Sequence, residues 1–226
     1  MNKKPISIAI DGPVAAGKGT TAKFLAEKLG GIYLDTGAMY RCVALYCLNN
    51  GIDINNPEDI IASLKNIHIN FTKESVLLNG NDVVKEIRTL TIDNLVPKVA
   101  HLPEVRKDMI LRQQNIAISI IKKGITFIAE GRDIATHVLP NADLKIFLTA
   151  DPKTRALRRV KQLIDRGEKK DFSKVLREIQ QRDFEDIEEN HALVKNPENF
   201  GYFILDDSNM LKEETCTIII DLVNKL

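Results

Sequence analysis

The stretch Gly12-Pro13-Val14-Ala15-Ala16-Gly17-Lys18-Gly19-Thr20 carries the residue types that a polyphosphate anion requires. Closely spaced negative charges are best surrounded by bare backbone N–H groups, a helix N-terminus and a flexible cation. Glycines at 12, 17 and 19 let the backbone wrap such an anion with no Cβ in the way. At this spacing Lys18 would reach the β- and γ-phosphates of a nucleoside triphosphate, and the Thr20 hydroxyl would face Mg²⁺. Two further clusters offer a counterpart. Asp35-Thr36-Gly37-Ala38-Met39-Tyr40-Arg41 supplies a carboxylate, a hydroxyl and, a helical turn further on, an arginine. Glu130-Gly131-Arg132-Asp133 sets an arginine among carboxylates. Fixed guanidinium groups match phosphate oxygens and neutralise the approach of one anion to another. An acceptor phosphate, with a second pKa of about 6, is already mostly dianionic at neutral pH and needs no general base. An alcohol acceptor would instead want a carboxylate poised over its hydroxyl. Arg41 favours the phosphate acceptor.

These residues must be held by a strand, a loop and a helix. The β-branched run at 6–10 precedes the loop, and an apolar pattern through Phe24, Leu25 and Leu29 follows it, as such a cradle requires. Short β-branched runs then alternate with longer amphipathic stretches, the pattern of a parallel α/β sheet. Strands are predicted at 6–11, 32–34, 125–129, 145–148 and 203–205, and helices at 18–29, 38–48, 105–121, 152–165, 172–189 and 211–224. Ligands gather at the carboxyl ends of strands in such sheets. That rule places Arg132 and Asp133 beside the phosphate loop, with Glu130 available to order Mg²⁺-bound water. From about 67 to 100 the rhythm breaks: Ile67, Ile69 and Phe71 alternate with polar residues, Val76-Leu77-Leu78 follows, and Asn79-Gly80 is a strong turn signal before Val83-Val84. A small antiparallel sheet followed by helices is expected there. The chain contains no repeat or low-complexity segment.

The 226 residues suffice for one main domain with an insertion. A formal net charge of +1 creates no global field calling for nucleic acid or an anionic membrane. Cys42, Cys47 and Cys216 fit no metal or disulfide spacing, and Cys42 and Cys47 are expected to fill the core. His68, His101, His137 and His191 likewise show no ligand spacing. Met1-Asn2-Lys3-Lys4-Pro5 lacks an apolar signal core, and no segment approaches a membrane span. A cytoplasmic protein is expected, and in the absence of a long exposed apolar stripe, a monomer.

The guanine-reading N-K-x-D of signalling GTPases is missing. Motor and transport ATPases usually place Ser or Thr directly after the loop lysine, whereas Gly19 intervenes here before Thr20. The Gly17-Lys18-Gly19-Thr20 wording is similar to that of nucleoside monophosphate kinases, which move a γ-phosphoryl group from ATP to a second nucleotide. The residues alone leave open a kinase for another acceptor, such as UMP, dTMP or a shikimate-like alcohol, and a non-enzymatic ATP-binding switch. Further segments narrow the choice: Ile10-Asp11-Gly12-Pro13, Leu34-Asp35-Thr36-Gly37-Ala38-Met39-Tyr40-Arg41, Glu86-Ile87-Arg88-Thr89, Pro103-Glu104-Val105-Arg106, Glu130-Gly131-Arg132-Asp133, and Arg182-Asp183 with Asp186. In this order, over nearly the whole chain, the sequence resembles the bacterial cytidylate kinases.

That resemblance implies a P-loop NTPase-type parallel sheet flanked by helices, with a small antiparallel nucleotide-monophosphate-binding insertion and a short helical lid. It implies a single kinase domain: a core of about 1–62, 122–154 and 192–226, an insertion of about 63–121 and a lid of about 155–191. The substrates implied are ATP with Mg²⁺, and CMP or dCMP. Thr36, Arg106 and Asp133 would address the cytosine edge, Arg41 and Arg132 the acceptor phosphate, and Arg182 with Asp186 the ribose and phosphates under the closed lid. Lys18, Arg41, Arg132, Asp133 and Arg182 would be the catalytic set, and Arg155 and Arg159 would reach the donor from the lid. The sequence departs from the family pattern at Glu189, where an arginine is frequent, at Ala192, and at Pro97, where a small hydroxyl residue near the sugar is common. Weaker acceptor binding is the expected consequence.

Overall fold

A computed structural model describes residues 4–72, 75–189 and 192–226. The chain divides into two compact units: Met1–Tyr33 with Ile120–Leu226, and Leu34–Ser119. In chain order its elements begin β1 (Ser7–Asp11), α1 (Lys18–Leu29), β2 (Ile32–Asp35), α2 (Thr36–Asn49), α3 (Pro57–Ser63), β3 (Ile69–Phe71), β4 (Val76–Leu78) and β5 (Asn81–Asp82). They continue with α4 (Leu90–Ala100), α5 (Pro103–Ile121), β6 (Phe127–Gly131), β7 (Leu144–Thr149), α6 (Pro152–Asp165), α7 (Phe172–Phe184), β8 (Phe203–Asp206) and α8 (Lys212–Val223).

The main sheet runs β2-β6-β1-β7-β8, with β1/β6, β1/β7 and β7/β8 parallel. β1 is buried along its whole length, which is why it reads as a continuous apolar run. Its Ile8 and Ile10 pack with Leu25, Ile128, Ile146, Leu148, Leu205 and Ile219. The register sets Asp11 opposite both Gly131 and Phe147, so the loops after β1 and β6 leave the sheet at one edge. α6 and α7 pack on each other through Ala156, Leu163, Val175 and Ile179, and Val14 and Ala15 of the phosphate loop lie against that cluster. Among the described residues, no helix is long and apolar enough to cross a membrane.

The second unit has its own core. α2 contributes Met39, Cys42, Val43 and Cys47, packed with Ile60, Ile67, Ile87, Ile92, Val105 and Met109. Sequence reasoning groups residues up to 62 with the core, but α2 is apolar around most of its circumference and its partners lie in 60–109. The division therefore falls at Leu34. The expected antiparallel sheet is β3-β4-β5, with Ile69 opposite Leu78 and Leu78 opposite Asn81. Its turn is made by Asn79 and Gly80 at φ 49° and 86°. The third strand lies two residues earlier than Val83-Val84, because the two-residue turn fixes the register and Val83 is spent in the core. All three cysteines are buried. His68, His101 and His137 are exposed, and His191 lies outside the described residues.

The helix expected over 172–189 stops at Phe184, and residues Glu185–Glu189 form a wider π-helical turn. The cause is Asp186, only 1% exposed, which turns inward between two arginines. Its Oδ2 accepts from Arg132 Nε at 2.8 Å, and its Oδ1 lies 3.0 Å from Arg182 Nε. Its carbonyl accepts the amides of both Ala192 and Leu193. Burial by itself would raise this carboxyl's pKa, but the two guanidinium groups outweigh it and hold the group below the ordinary carboxylate value.

Two stability predictions follow from this packing. A Cβ on Gly12, at φ 149°, would stand 2.0 Å from the carbonyl oxygen of Leu148 in the central sheet, whereas one on Gly80 meets nothing within 4 Å. Gly12→Ala should lower unfolding free energy by roughly 4 kcal/mol or prevent folding, and Gly80→Ala by only about 1 kcal/mol, read from denaturant midpoints. Asp186→Asn should cost about 3 kcal/mol at neutral pH by leaving two arginines uncompensated. Because the folded carboxyl titrates below its ordinary value of 3.8, that difference should be full above this pH. It should shrink as acid protonates Asp186 in the parent, and an unchanged gap at low pH would contradict the assignment.

Candidate active site

The phosphate loop joins β1 to α1 and ends at Gly17, the N-cap of α1, at φ 89° and with no capping side chain. The first amides of α1 thus have no side-chain competitor for an incoming anion. Lys18 opens the helix, 6% exposed, with its Nζ donating to the carbonyl of Pro13 at 2.8 Å. Burial pushes its pKa down to about 7, assisted by the positive charge of Arg132. Glu130, Asp11 and Asp186 pull in the opposite direction. A polyphosphate placed here would restore the lysine's charge, because each added negative charge favours the protonated form.

Glu130, near the end of β6, accepts from the Tyr33 hydroxyl at 3.2 Å. A Cβ on Gly19 would sit 3.2 Å from Glu130 Oε1 and 3.3 Å from the Tyr33 hydroxyl, so the glycine keeps that carboxylate face clear beside exposed Thr20. A hydroxyl and a carboxylate suit Mg²⁺, a hard ion that takes few protein ligands and completes its shell with phosphates and waters. Among the described residues no group of three or more His, Cys, Asp or Glu side chains could hold a metal by itself. The residues present fit an ion that arrives with its nucleotide.

Within the first unit the structure gathers Lys18, Arg132, Arg182 and Asp186 around one charge cluster. Arg132 is about a quarter exposed, and although burial alone would lower its pKa, Asp186 more than offsets this and raises it. Asp133, predicted beside it, is buried. The two lid arginines part company. Arg155 is 4% exposed and all three guanidinium nitrogens meet protein acceptors. Its Nε donates to Ala150 O at 2.8 Å, one terminal nitrogen donates to Val14 O at 3.1 Å, and the pair clasps Asp183 at 3.2 and 2.6 Å. Arg155 thus clasps the loop's own backbone as well as Asp183. Arg159 is half-buried and lies 3.5 Å from Gln162. Arg158, which sequence reasoning did not single out, pairs with Asp207 at 2.8 Å, and both stand just under 4 Å from where a Gly17 Cβ would be. Burial raises the Asp207 carboxyl despite Arg158.

In the second unit Thr36 is buried at the first position of α2, and Asp35 caps that helix by accepting the Ala38 amide at 3.0 Å. Asp35 also pairs with Arg88. Arg41 lies one turn into α2 and donates to Ile87 O at 2.9 Å while pairing with Asp93 at 2.6 Å. Arg106 is half-buried near the start of α5. Of the three family departures, Pro97 sits inside α4, Glu189 is exposed at the end of the π-helical turn and Ala192 is buried. The carboxylate partners Asp93 and Asp207 carry no signal in local sequence, and the Arg182-Asp183 segment does not point to Arg155, since each carboxylate meets its arginine from a distant segment.

The cytidylate kinase family model matches residues 8–225. A cytidylate kinase of Caldicellulosiruptor saccharolyticus is 40% identical over 227 residues, covering 99% of this chain and 97% of its own. One of Geobacillus kaustophilus is 41% identical over 228 residues, covering 99% and 98%. Among solved structures, an uncharacterized protein from Eubacterium ventriosum superposes with a TM-score of 0.55 over 99% of this chain and 100% of its own, at 14% identity, a likeness of fold alone. With matching motifs in order, a full-length family match and close relatives covered end to end, the chain belongs to the cytidylate kinase family.

Proposed function

We propose that this protein transfers the γ-phosphoryl group of ATP to the phosphate of CMP or dCMP, giving ADP and CDP or dCDP, as a monomeric cytoplasmic enzyme. The observation that carries the reading is the charge cluster at the carboxyl edge of the sheet, where Lys18 and Arg132 face each other's fields with Arg182 held on Asp186. Such a concentration of fixed cations beside a glycine-rich helix start suits the meeting of two phosphate groups. A switch that only bound ATP would need the loop and not the guanidinium groups.

In this reading the amides at the start of α1 and the Lys18 ammonium hold the donor's β- and γ-phosphates. Thr20 would hold Mg²⁺, with Glu130 ordering its water; the ion, when bound, neutralises charge developing between the β- and γ-oxygens. Arg132 and, in the second unit, Arg41 would take the acceptor phosphate, and Thr36, Arg106 and Asp133 the cytosine edge. Arg182 and Asp186 would cover the ribose and phosphates. An acceptor oxygen forms the new bond to γ-phosphorus as the bond to the β,γ-bridging oxygen breaks, and no proton need move. Residues 155–191 serve as the lid that excludes water, and Arg155, which also clasps the loop's backbone, and Arg159 would meet the donor from it. Catalysis then consists of positioning and charge stabilisation.

A panel of CMP, dCMP, UMP, dTMP and shikimate with coupled ADP detection tests the acceptor, and CMP or dCMP should exceed the others by about a hundredfold in kcat/KM. Lys18→Met should reduce kcat by a factor on the order of a thousand. Arg132→Ala should raise the CMP KM and lower kcat, together by about a hundredfold or more, with ATP affinity little changed. Loss of ATP binding in that variant would place Arg132 on the donor instead.

A further inference from the structure

Asp11 closes β1 with no exposed surface, and none of the steps above uses it. Its Oδ1 accepts the amide of Ile134 at 2.8 Å. Its Oδ2 accepts the amide of Ala135 at 2.8 Å and the Tyr202 hydroxyl at 2.7 Å. Those two amides begin the π-helical turn Ile134–Val138, which follows directly on Arg132 and Asp133. The leading N–H groups of a helical turn have no partner within it, and here a carboxylate from a neighbouring strand supplies one for each. Asp133, at φ −137° and ψ 29°, caps that turn, and its carbonyl accepts the His137 amide at 2.9 Å, so whatever fixes the turn also fixes Asp133. Gly12, next in the chain, is wedged against Leu148, which fixes the carboxylate's own anchor.

We infer that Asp11 is a positioning residue: its carboxylate, steadied by Tyr202, fastens the Arg132–Asp133 turn to the root of the phosphate loop and so sets where the acceptor is held. The inference rests on the proposed acceptor role of Arg132 and Asp133. The local charges are consistent with it. Burial raises the Asp11 carboxyl to about 6, against which its three donors pull, and Asp133's charge adds to the rise. Burial and the Asp11 charge hold the Tyr202 hydroxyl above its ordinary value, so it stays protonated and keeps donating. A phenol hydroxyl committed to a buried carboxylate, 191 residues away in sequence, serves geometry here and not titration.

The test compares Asp11→Asn, Tyr202→Phe and Arg132→Ala for CMP KM, kcat and ATP affinity, together with hydrogen exchange at the Ile134 and Ala135 amides. In Asp11→Asn an NH₂ group must face one of the two amides. That variant should raise the CMP KM and lower kcat by about tenfold each, with ATP affinity unchanged within about twofold. Exchange at the two amides should quicken by about tenfold or more. Tyr202→Phe should move the same quantities in the same direction by about fivefold or less, and it decides the matter should Asp11→Asn fail to fold. A drop in melting temperature with CMP KM and kcat unchanged in the folded variants overturns the positioning role, as does unaltered exchange at both amides. If Arg132→Ala leaves the CMP KM unchanged, the acceptor reading of the turn has failed, and the exchange rates alone then decide whether Asp11 fastens it.

Discussion

The constraint on which the rest of this site depends is the mutual repulsion of cations that must stand close together before any nucleotide arrives. Burial weakens the Lys18 ammonium and the charge of Arg132 adds to this, and Arg182 sits across Asp186 from Arg132. Such a group survives only if buried carboxylates are interleaved with it. Asp186 does this directly, holding two guanidinium groups on its two oxygens, and Asp11 and Glu130 do so through space. An unpaired buried charge is strongly unfavourable while a paired one can be tolerated. The carboxylates thus make the cation cluster compatible with a folded chain, and they also aim it. A guanidinium held by one edge presents its remaining N–H groups in a fixed direction.

The second unit uses the same device independently. Arg41 is steadied by Asp93 and the Ile87 carbonyl, and Arg88 by Asp35. Asp35 has a second task, capping α2, so the helix that carries Thr36 and Arg41 and the arginine from the turn after β5 are set by one carboxylate. An arginine held in this way has already lost much of its rotamer freedom, which is what preorganised sites require. The pairing also explains why modest net charge, +1 over the chain, accompanies anion binding. The cations are concentrated, and their counter-charges lie behind them.

Local features were legible in the sequence. The phosphate loop, the ends of α1 and α6, the Asn79-Gly80 turn and the carboxyl ends of β1 and β6 all depend on residues a few positions apart. Legibility ended where a side chain answers to a distant partner. Arg155 and Arg159 share a helix face by spacing, yet burial against Ala150, Val14 and Asp183 separates them, and Arg158 takes the place beside the loop. The π-helical turn at 185–189 interrupts a good amphipathic pattern because Asp186 is claimed by Arg132, 54 residues away. The allotment of α2 to the second unit is of the same kind, since an all-round apolar helix does not announce which core it fills. Asp11 was visible only as a member of the Ile10-Asp11-Gly12-Pro13 segment, with no partner named for it, and Tyr202 not at all.

These distant pairs are distributed unevenly along the α6–α7 hairpin. The hairpin is fastened near the start of α6 by Arg155, which grips Asp183 and the loop carbonyl of Val14, and just past the end of α7 by Asp186 on Arg132. Both fastenings lie at the phosphate-loop end of α6 and α7, and each has one buried member, Arg155 in the first and Asp186 in the second. At the opposite end, residues 164–167 are exposed. Breaking either pair would deprive a buried charge of its partner, whereas displacing the exposed connection disturbs little packing. The α6–α7 hairpin is thus tied to the loop at its base and exposed at its far tip, and the carboxylates Asp183 and Asp186 hold Arg155, Arg132 and Arg182 in fixed directions at that base.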